Sequence, residues 1–166
     1  YGAGIAPLRG SLSPGGGLSR PPRAEVAVIG GGVVGAAVTH ALARRGVAVV
    51  LLEAETELAL GASGANSGIL HVGFDSEPGE LETELILRSA ELREPVLSRL
   101  GVPVRRCGAV IRPRGAEEVR TVADLAANAE RNGVVAELTD EGALEVPGEA
   151  VTDPVAYTQG LAALAA

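Results

Sequence analysis

The chain has no lysine, no methionine and a single cysteine, Cys107, in 166 residues. One thiol excludes an internal disulfide framework and a metal site built from cysteines. Cys107 itself is expected as a small buried hydrophobe, and no metal site is expected. All basic residues are arginine, and position 1 is Tyr1. That bias points to codon usage and an incomplete chain start, so the chain is expected to be a fragment. Long apolar runs are also missing. The longest candidate, Val47 to Leu52, is strand-sized, far short of the roughly 18 residues of a transmembrane helix.

Positive charge is in deficit as well. The net charge is −7, which argues against a general nucleic-acid surface. Residues 1–23 carry Arg9, Arg20 and Arg23 without any acid, so the remainder holds −10. This segment is rich in Gly, Pro, Ser and Arg and has no periodicity, and is expected to be disordered. Its Arg and Ser content also suits an organelle transit peptide, but it lacks that class's amphipathic period. A cytoplasmic location is the expectation.

What is present begins at "AEVAVIGGGVVG". Val26 to Ile29 is a continuous apolar run, as in a parallel strand buried on both faces. Gly30, Gly32 and Gly35 then give G-x-G-x-x-G between that strand and a predicted helix. The first glycine permits a tight turn, the second lets backbone approach a pyrophosphate, and the third lets the helix pack on the strand. In the helix, Val34, Val38, Ala41 and Leu42 form an expected apolar stripe, with His40 and Arg44 on a solvated face. Gly46 is the expected stop. A second strand, Val47 to Leu52, ends in Glu53, eighteen residues beyond Gly35. An acid there can accept hydrogen bonds from both ribose hydroxyls of an adenosine. The set specifies an adenine-dinucleotide site.

The fingerprint alone does not separate NAD from FAD. The next stretch, "GASGANSGILHVGF" at 61–74, bears on the choice. Gly, Ala and Ser let backbone N–H groups close on a second length of cofactor. Asn66 and Ser67 add neutral hydrogen-bonding groups suited to ribityl hydroxyls.

Together with "NSGILHVGF", "PGELETELILRSAEL", "RCGAVIRP" and "NGV", these motifs resemble the N-terminal half of the D-amino-acid-oxidase-like FAD-dependent oxidoreductases. The nearest branches are the L-2-hydroxyglutarate dehydrogenases and oxidases and the FAD-linked glycerol-3-phosphate dehydrogenases. The resemblance covers about residues 24–166. It implies an α/β fold: a Rossmann-like FAD-binding domain with an incomplete α+β substrate domain. Domains are then expected at 24–100 (FAD-binding), 101–150 (substrate) and 151–166 (a return helix). Gly30, Gly32, Val33 and Val34 would line the pyrophosphate, with Gly35 closing the fingerprint, and Glu53 would hold the ribose. Ser63, Gly64, Asn66, Ser67 and Gly68 would follow the ribityl chain.

His71 has two readings. One is a satisfied structural histidine. The other places it near the isoalloxazine as base, substrate contact or covalent attachment point, and it is the candidate catalytic residue.

Further on, residues 80–100 are expected as a helix with Leu81, Leu85, Leu92 and Val96 on one side, kinked at Pro95 and stopped at Gly101. A strand is expected from Cys107 to Arg112. Another helix spans 116–132, with Val119, Val122, Ala126 and Ala129 buried and Gly133 as stop. Arg105, Arg106, Arg112 and Arg114 fit a solvated face, or attraction of an anionic substrate. Asp153 and Pro154 open a last helix.

The reaction implied is hydride transfer from a small hydroxy acid, polyol phosphate or amino acid to flavin. Peripheral membrane contact is implied if the acceptor is a quinone. The rivals are an NAD(P)-dependent dehydrogenase and a catalytically inert, truncated FAD-binding module. The family's next strand and C-terminal flavin segment have no counterpart in the sequence, and residues 140–148 look shorter than in the family.

Overall fold

The structure is a computed structural model and describes residues 23–166. The disorder expected over 1–23 falls outside the described residues, Arg23 excepted. The chain opens with strand β1 (Val26–Ile29), helix α1 (Val33–Ala43) and strand β2 (Val49–Leu52). β1 and β2 pair in parallel, in register from Val26 with Val49 to Ile29 with Leu52. This is the β-α-β beginning the sequence predicts, the second strand starting two residues later than expected.

Next come β3 (Ile69–Leu70), α2 (Leu81–Leu100), β4 (Val104–Arg105) and β5 (Ala109–Ile111). They are followed by α3 (Ala116–Arg131), β6 (Glu137–Leu138), β7 (Leu144–Val146), β8 (Ala150–Thr152) and α4 (Pro154–Ala163). Two small antiparallel sheets result, with strand orders β3-β8-β4 and β5-β7-β6. Helix α4 opens on a proline, whose missing N–H is no loss in a first helical turn.

The chain forms two compact units. One holds the described residues up to Asn66 together with Pro154–Ala166, the other Ser67–Asp153. The sequence had placed boundaries after residues 100 and 150. The compact units divide elsewhere because Ile69 and Leu70 pair with Val151 and Ala150, which ties the chain just after the glycine-rich loop into the second unit.

In the first unit, α1 packs against β1, β2 and α4. Its buried residues are Ala36, Thr39 and His40, whereas Val34 is 73% exposed and Val38 is exposed as well. The expected stripe and the solvated His40 are therefore corrected. The helix carries apolar residues on nearly every side, so its period does not choose a face. The close contact is made by the small residues. A Cβ at Gly35 would lie 1.9 Å from the Gly30 carbonyl oxygen, and Thr39 Oγ1 donates back to the Gly35 carbonyl at 2.8 Å.

The second unit has a hydrophobic core of Val72, Phe74, Val122, Ala129, Leu144 and Val146. Helix α3 buries Val122, Asn128 and Ala129, but Val119 is exposed, so the expected stripe is rotated. The rotation serves two amides. Asn128 Nδ2 donates to the Phe74 and Ser76 carbonyls (3.0 and 2.7 Å), and Asn132 Nδ2 donates to those of Gly73 and Ser76 (2.8 and 2.7 Å). The loop at 73–76 is thereby fastened to the helix.

Helix α2 runs through Pro95 and ends at Gly101, which adopts φ 63° and donates its N–H to the Leu97 carbonyl. Its buried residues are Thr83 and Leu97; Leu81, Leu85 and Leu92 are exposed, contrary to the expected stripe. Cys107 is exposed too, because it precedes the short strand β5 instead of opening it. No described helix is long and apolar enough to cross a membrane.

Candidate functional site

The turn from β1 into α1 fixes the first part of the site. Gly30 adopts φ 103°, which disfavours any residue with a Cβ. Gly31 is tighter than the fingerprint implies. A Cβ there would meet Leu58 Cδ2 at 2.3 Å and Glu53 Oε2 at 2.7 Å. Sequence reasoning passed over Gly31 because it fills a variable position of the motif, although three consecutive glycines were the available signal.

Helix α1 then starts with Gly32 as N-cap, without a side-chain cap of its own and without an acid in the first turn. A side chain from elsewhere fills that role: Val33 N–H donates to Ser63 Oγ at 2.8 Å. A Cβ on Gly32 would come within 3.0 Å of the same oxygen. The positive end of the helix dipole therefore faces a site lined by glycine backbone and one hydroxyl, an arrangement suited to an anionic group.

Glu53, one residue past β2, accepts hydrogen bonds from Gly31 N–H at Oε2 and from Ala54 and Glu55 N–H (2.7 and 3.0 Å) at Oε1. The Glu55 amide, then that of Gly31, hold its carboxyl below the usual range against the opposing effect of desolvation, with a lesser contribution from the Ala54 amide. Three of about four lone-pair positions are thus taken. Gripping both ribose hydroxyls requires the carboxylate to release a backbone partner, a constraint not visible in sequence. Beside it lies a cleft of about 410 Å³ lined by Gly32, Glu53, Glu55, Ala59, Leu60 and Gly61.

The glycine-rich loop proves to have divided duties. Gly61 borders the cleft, with no atom within 4 Å of where a Cβ would sit. Gly64 is small for an internal reason: its Cβ would lie 2.1 Å from the Ala59 carbonyl oxygen. Ala59 itself has φ 65° and donates its N–H to the Gly31 carbonyl at 3.1 Å. Asn66 Nδ2 donates to the carbonyls of Ala62 and Ser63, stiffening the turn. The loop's bareness, expected to serve the cofactor throughout, is in part self-packing.

Of the expected site residues, Gly30, Gly32, Val33, Val34, Gly35, Glu53, Ser63, Gly64 and Asn66 belong to the first unit. Ser67, Gly68 and His71 belong to the second. Gly68 has φ 67°, and its carbonyl accepts from Thr152 N–H at 2.9 Å. His71 Nδ1 stands 3.4 Å from Oε2 of the buried Glu149, a partner 78 positions away that sequence reasoning missed. Arg105, Arg106, Arg112 and Arg114 are exposed, and Arg106 pairs with Glu94. Among the described residues, no group of three His, Cys, Asp or Glu side chains is placed to hold a metal.

Residues 25–166 match the family described as FAD dependent oxidoreductase. The chain belongs to that family. Among its relatives is a glycerol 3-phosphate dehydrogenase of Caloramator mitchellensis, 31% identical over 110 residues (66% of this chain, 23% of that protein). A mitochondrial L-2-hydroxyglutarate dehydrogenase of Caenorhabditis elegans is 33% identical over 134 residues (75% of this chain, 31% of that protein). Among solved structures, the FAD-bound L-alpha-glycerophosphate oxidase of Mycoplasma pneumoniae superposes with a TM-score of 0.77 at 25% identity, over 86% of this chain and 42% of that one. Glycine oxidase from Bacillus cereus, at 24% identity and TM-score 0.72, shares the fold. The expected family and fold class are borne out. The chain spans about a quarter to a third of the length of these curated relatives.

Proposed function

We propose that the first unit holds the ADP half of FAD, and that the whole protein oxidises a small, anionic hydroxy acid, polyol phosphate or amino acid. The observation that carries this is the glycine cradle. Side chains at Gly31 and Gly32 would strike Glu53 and Ser63, the two polar groups that bracket the turn. In this reading the pyrophosphate lies against Gly30, Gly32, Val33 and Val34, and Glu53 accepts from the ribose. Ser63, Gly64, Asn66, Ser67 and Gly68 follow the ribityl chain. When bound, FAD accepts a hydride from a carbon bearing a hydroxyl or amine. His71, three residues beyond Gly68 in the chain, takes the proton of that group. A cytoplasmic location belongs to the same reading and is checked by cell fractionation.

Titration of the purified chain with FAD, followed by flavin absorbance and fluorescence, tests the proposal. Gly32→Val should abolish binding while the far-ultraviolet dichroism is kept. FAD retained at normal stoichiometry by that variant, or NADH bound in preference to FAD, would sink it. A second reading, carried over from the sequence, is a binding module without turnover. Flavin that binds but is not bleached by 2-hydroxyglutarate, glycerol 3-phosphate or amino acids would select it.

A further inference from the structure

The His71–Glu149 pair carries chemistry that the family assignment leaves open. Glu149 sits at the start of the segment that becomes β8, and its side chain is only 5% exposed. A carboxylate so buried needs partners. One is fixed: Val72 N–H donates to Oε1 at 2.8 Å. The other oxygen, Oε2, faces His71 Nδ1 at 3.4 Å. The imidazole is 48% exposed, so one edge of the ring meets the buried acid while the ring remains open to solvent. Its backbone is held as well, since Arg93 Nη1 on α2 donates to the His71 carbonyl at 2.8 Å. Among the described residues, the charged groups contacting His71 are thus Glu149 and Arg93.

A carboxylate can only accept. A hydrogen bond to it from the neutral imidazole requires the proton to sit on Nδ1, which leaves Nε2 as the basic atom. The 3.4 Å separation is longer than a formed hydrogen bond, as is common for such pairs before substrate binds. We propose that Glu149 is a positioning residue: it selects the Nδ1–H tautomer of His71 and so presents Nε2 as the proton acceptor. The inference rests on the proposed role of His71 as base. In the step it serves, the substrate O–H proton passes to the Nε2 lone pair and the C–H leaves as hydride to the flavin. A carbon–oxygen double bond forms in the substrate, and Glu149 faces the imidazolium that results.

Glu149→Gln is the informative variant. Its side-chain oxygen still accepts from Val72 N–H, which turns the NH₂ toward Nδ1. The amide can only donate there, so Nδ1 becomes the acceptor and the proton moves to Nε2. Long-range ¹⁵N–¹H spectra of the neutral imidazole, assigned against His40 with His71→Gln, should show Nδ1–H dominant in the wild type and Nε2–H in Glu149→Gln. In FAD-loaded protein that turns over, Glu149→Gln should lower kcat about tenfold or more with little change in KM. A wild-type His71 that is mainly Nε2–H overturns the proposal, as does an unchanged tautomer in the variant. Should the variant fail to fold, the wild-type tautomer decides. If instead His71→Gln leaves flavin reduction unaltered, the base reading fails while the tautomer result stands on its own.

Discussion

The two units are specified in different ways. In the second, side chains do the work: Leu144 and Val146 on β7 are fully buried and meet Val122 and Ala129 of α3. In the first, the backbone does it. Gly31, Gly35 and Gly64 each stand where a Cβ would overlap a neighbour, and the buried residues include Ala36, Thr39 and Ala59. Several of its larger apolar residues face outward, with Ile29 85% exposed and Leu60 also exposed, while Leu161 of α4 is buried. A core built on volume tolerates exchange of one hydrocarbon for another. A core built on close backbone approach tolerates no added atom.

The sharpest test removes volume from the second unit. Leu144→Ala should cost about 3 kcal/mol, the usual toll of a cavity at a fully buried leucine, read by chemical denaturation. A loss below about 1 kcal/mol would show that β7 is not the centre of that core. Adding one methyl to the first unit comes next. Gly35→Ala should cost about 2 kcal/mol, because α1 must move off the Gly30 carbonyl. Amide exchange should show the loss in β1, α1 and β2 while α3 and β7 keep their protection. Equal losses in both regions would erase the distinction.

A smaller effect, of opposite sign, is expected at His40, whose Nδ1 is buried without a hydrogen-bond partner among the described residues. His40→Leu should raise stability by about 1 kcal/mol in thermal or denaturant unfolding. No gain would mean that the imidazole's packing outweighs its unpaired nitrogen.

The smallest effect concerns acid. Glu53's carboxyl is held below its unfolded value, so its contribution is present above the unfolded pKa and fades as pH falls through the folded one. The stability difference between wild type and Glu53→Gln should shrink through that acid window. A difference that grows on acidification would refute the assignment of its backbone partners.

Legibility followed the same division. β1, the glycine turn, α1 and β2 were readable because the backbone requirement appears directly as glycine at fixed spacing. The faces of α1 were not, since Val34, Val38, Ala41 and Leu42 compete with Ala36 and Thr39 on an almost wholly apolar helix. In α3 the existence of the helix was clear. Its rotation was decided by Asn128 and Asn132, polar residues whose partners lie more than 50 positions away. Two-residue strands such as β4 and β6 are too short to show a period of two. In the site, Gly32 and Glu53 came from the motif and Ser63 from the family resemblance. Gly31 and Glu149 did not, the first because a variable position hid it, the second because no local pattern links it to His71.

The amide of Asn132 also bears on how the chain ages. Asn132 precedes Gly133, and an Asn–Gly pair is prone to deamidation through attack of the glycine nitrogen on the side-chain carbonyl carbon. Here Gly133 N–H is engaged with the Glu130 carbonyl at 3.0 Å, while the side-chain amide is held by its bonds to the 73–76 loop. Folding thus withholds the nucleophile and immobilises its target. Once unfolded, the chain loses both protections, and the change is not undone on refolding. An aspartate at 132 would turn an acceptor toward two carbonyl oxygens that now receive donors. Time spent outside the native state therefore accumulates as a chemical mark at the latch itself. Peptide mapping of samples stored folded and in denaturant should find that mark concentrated in the second.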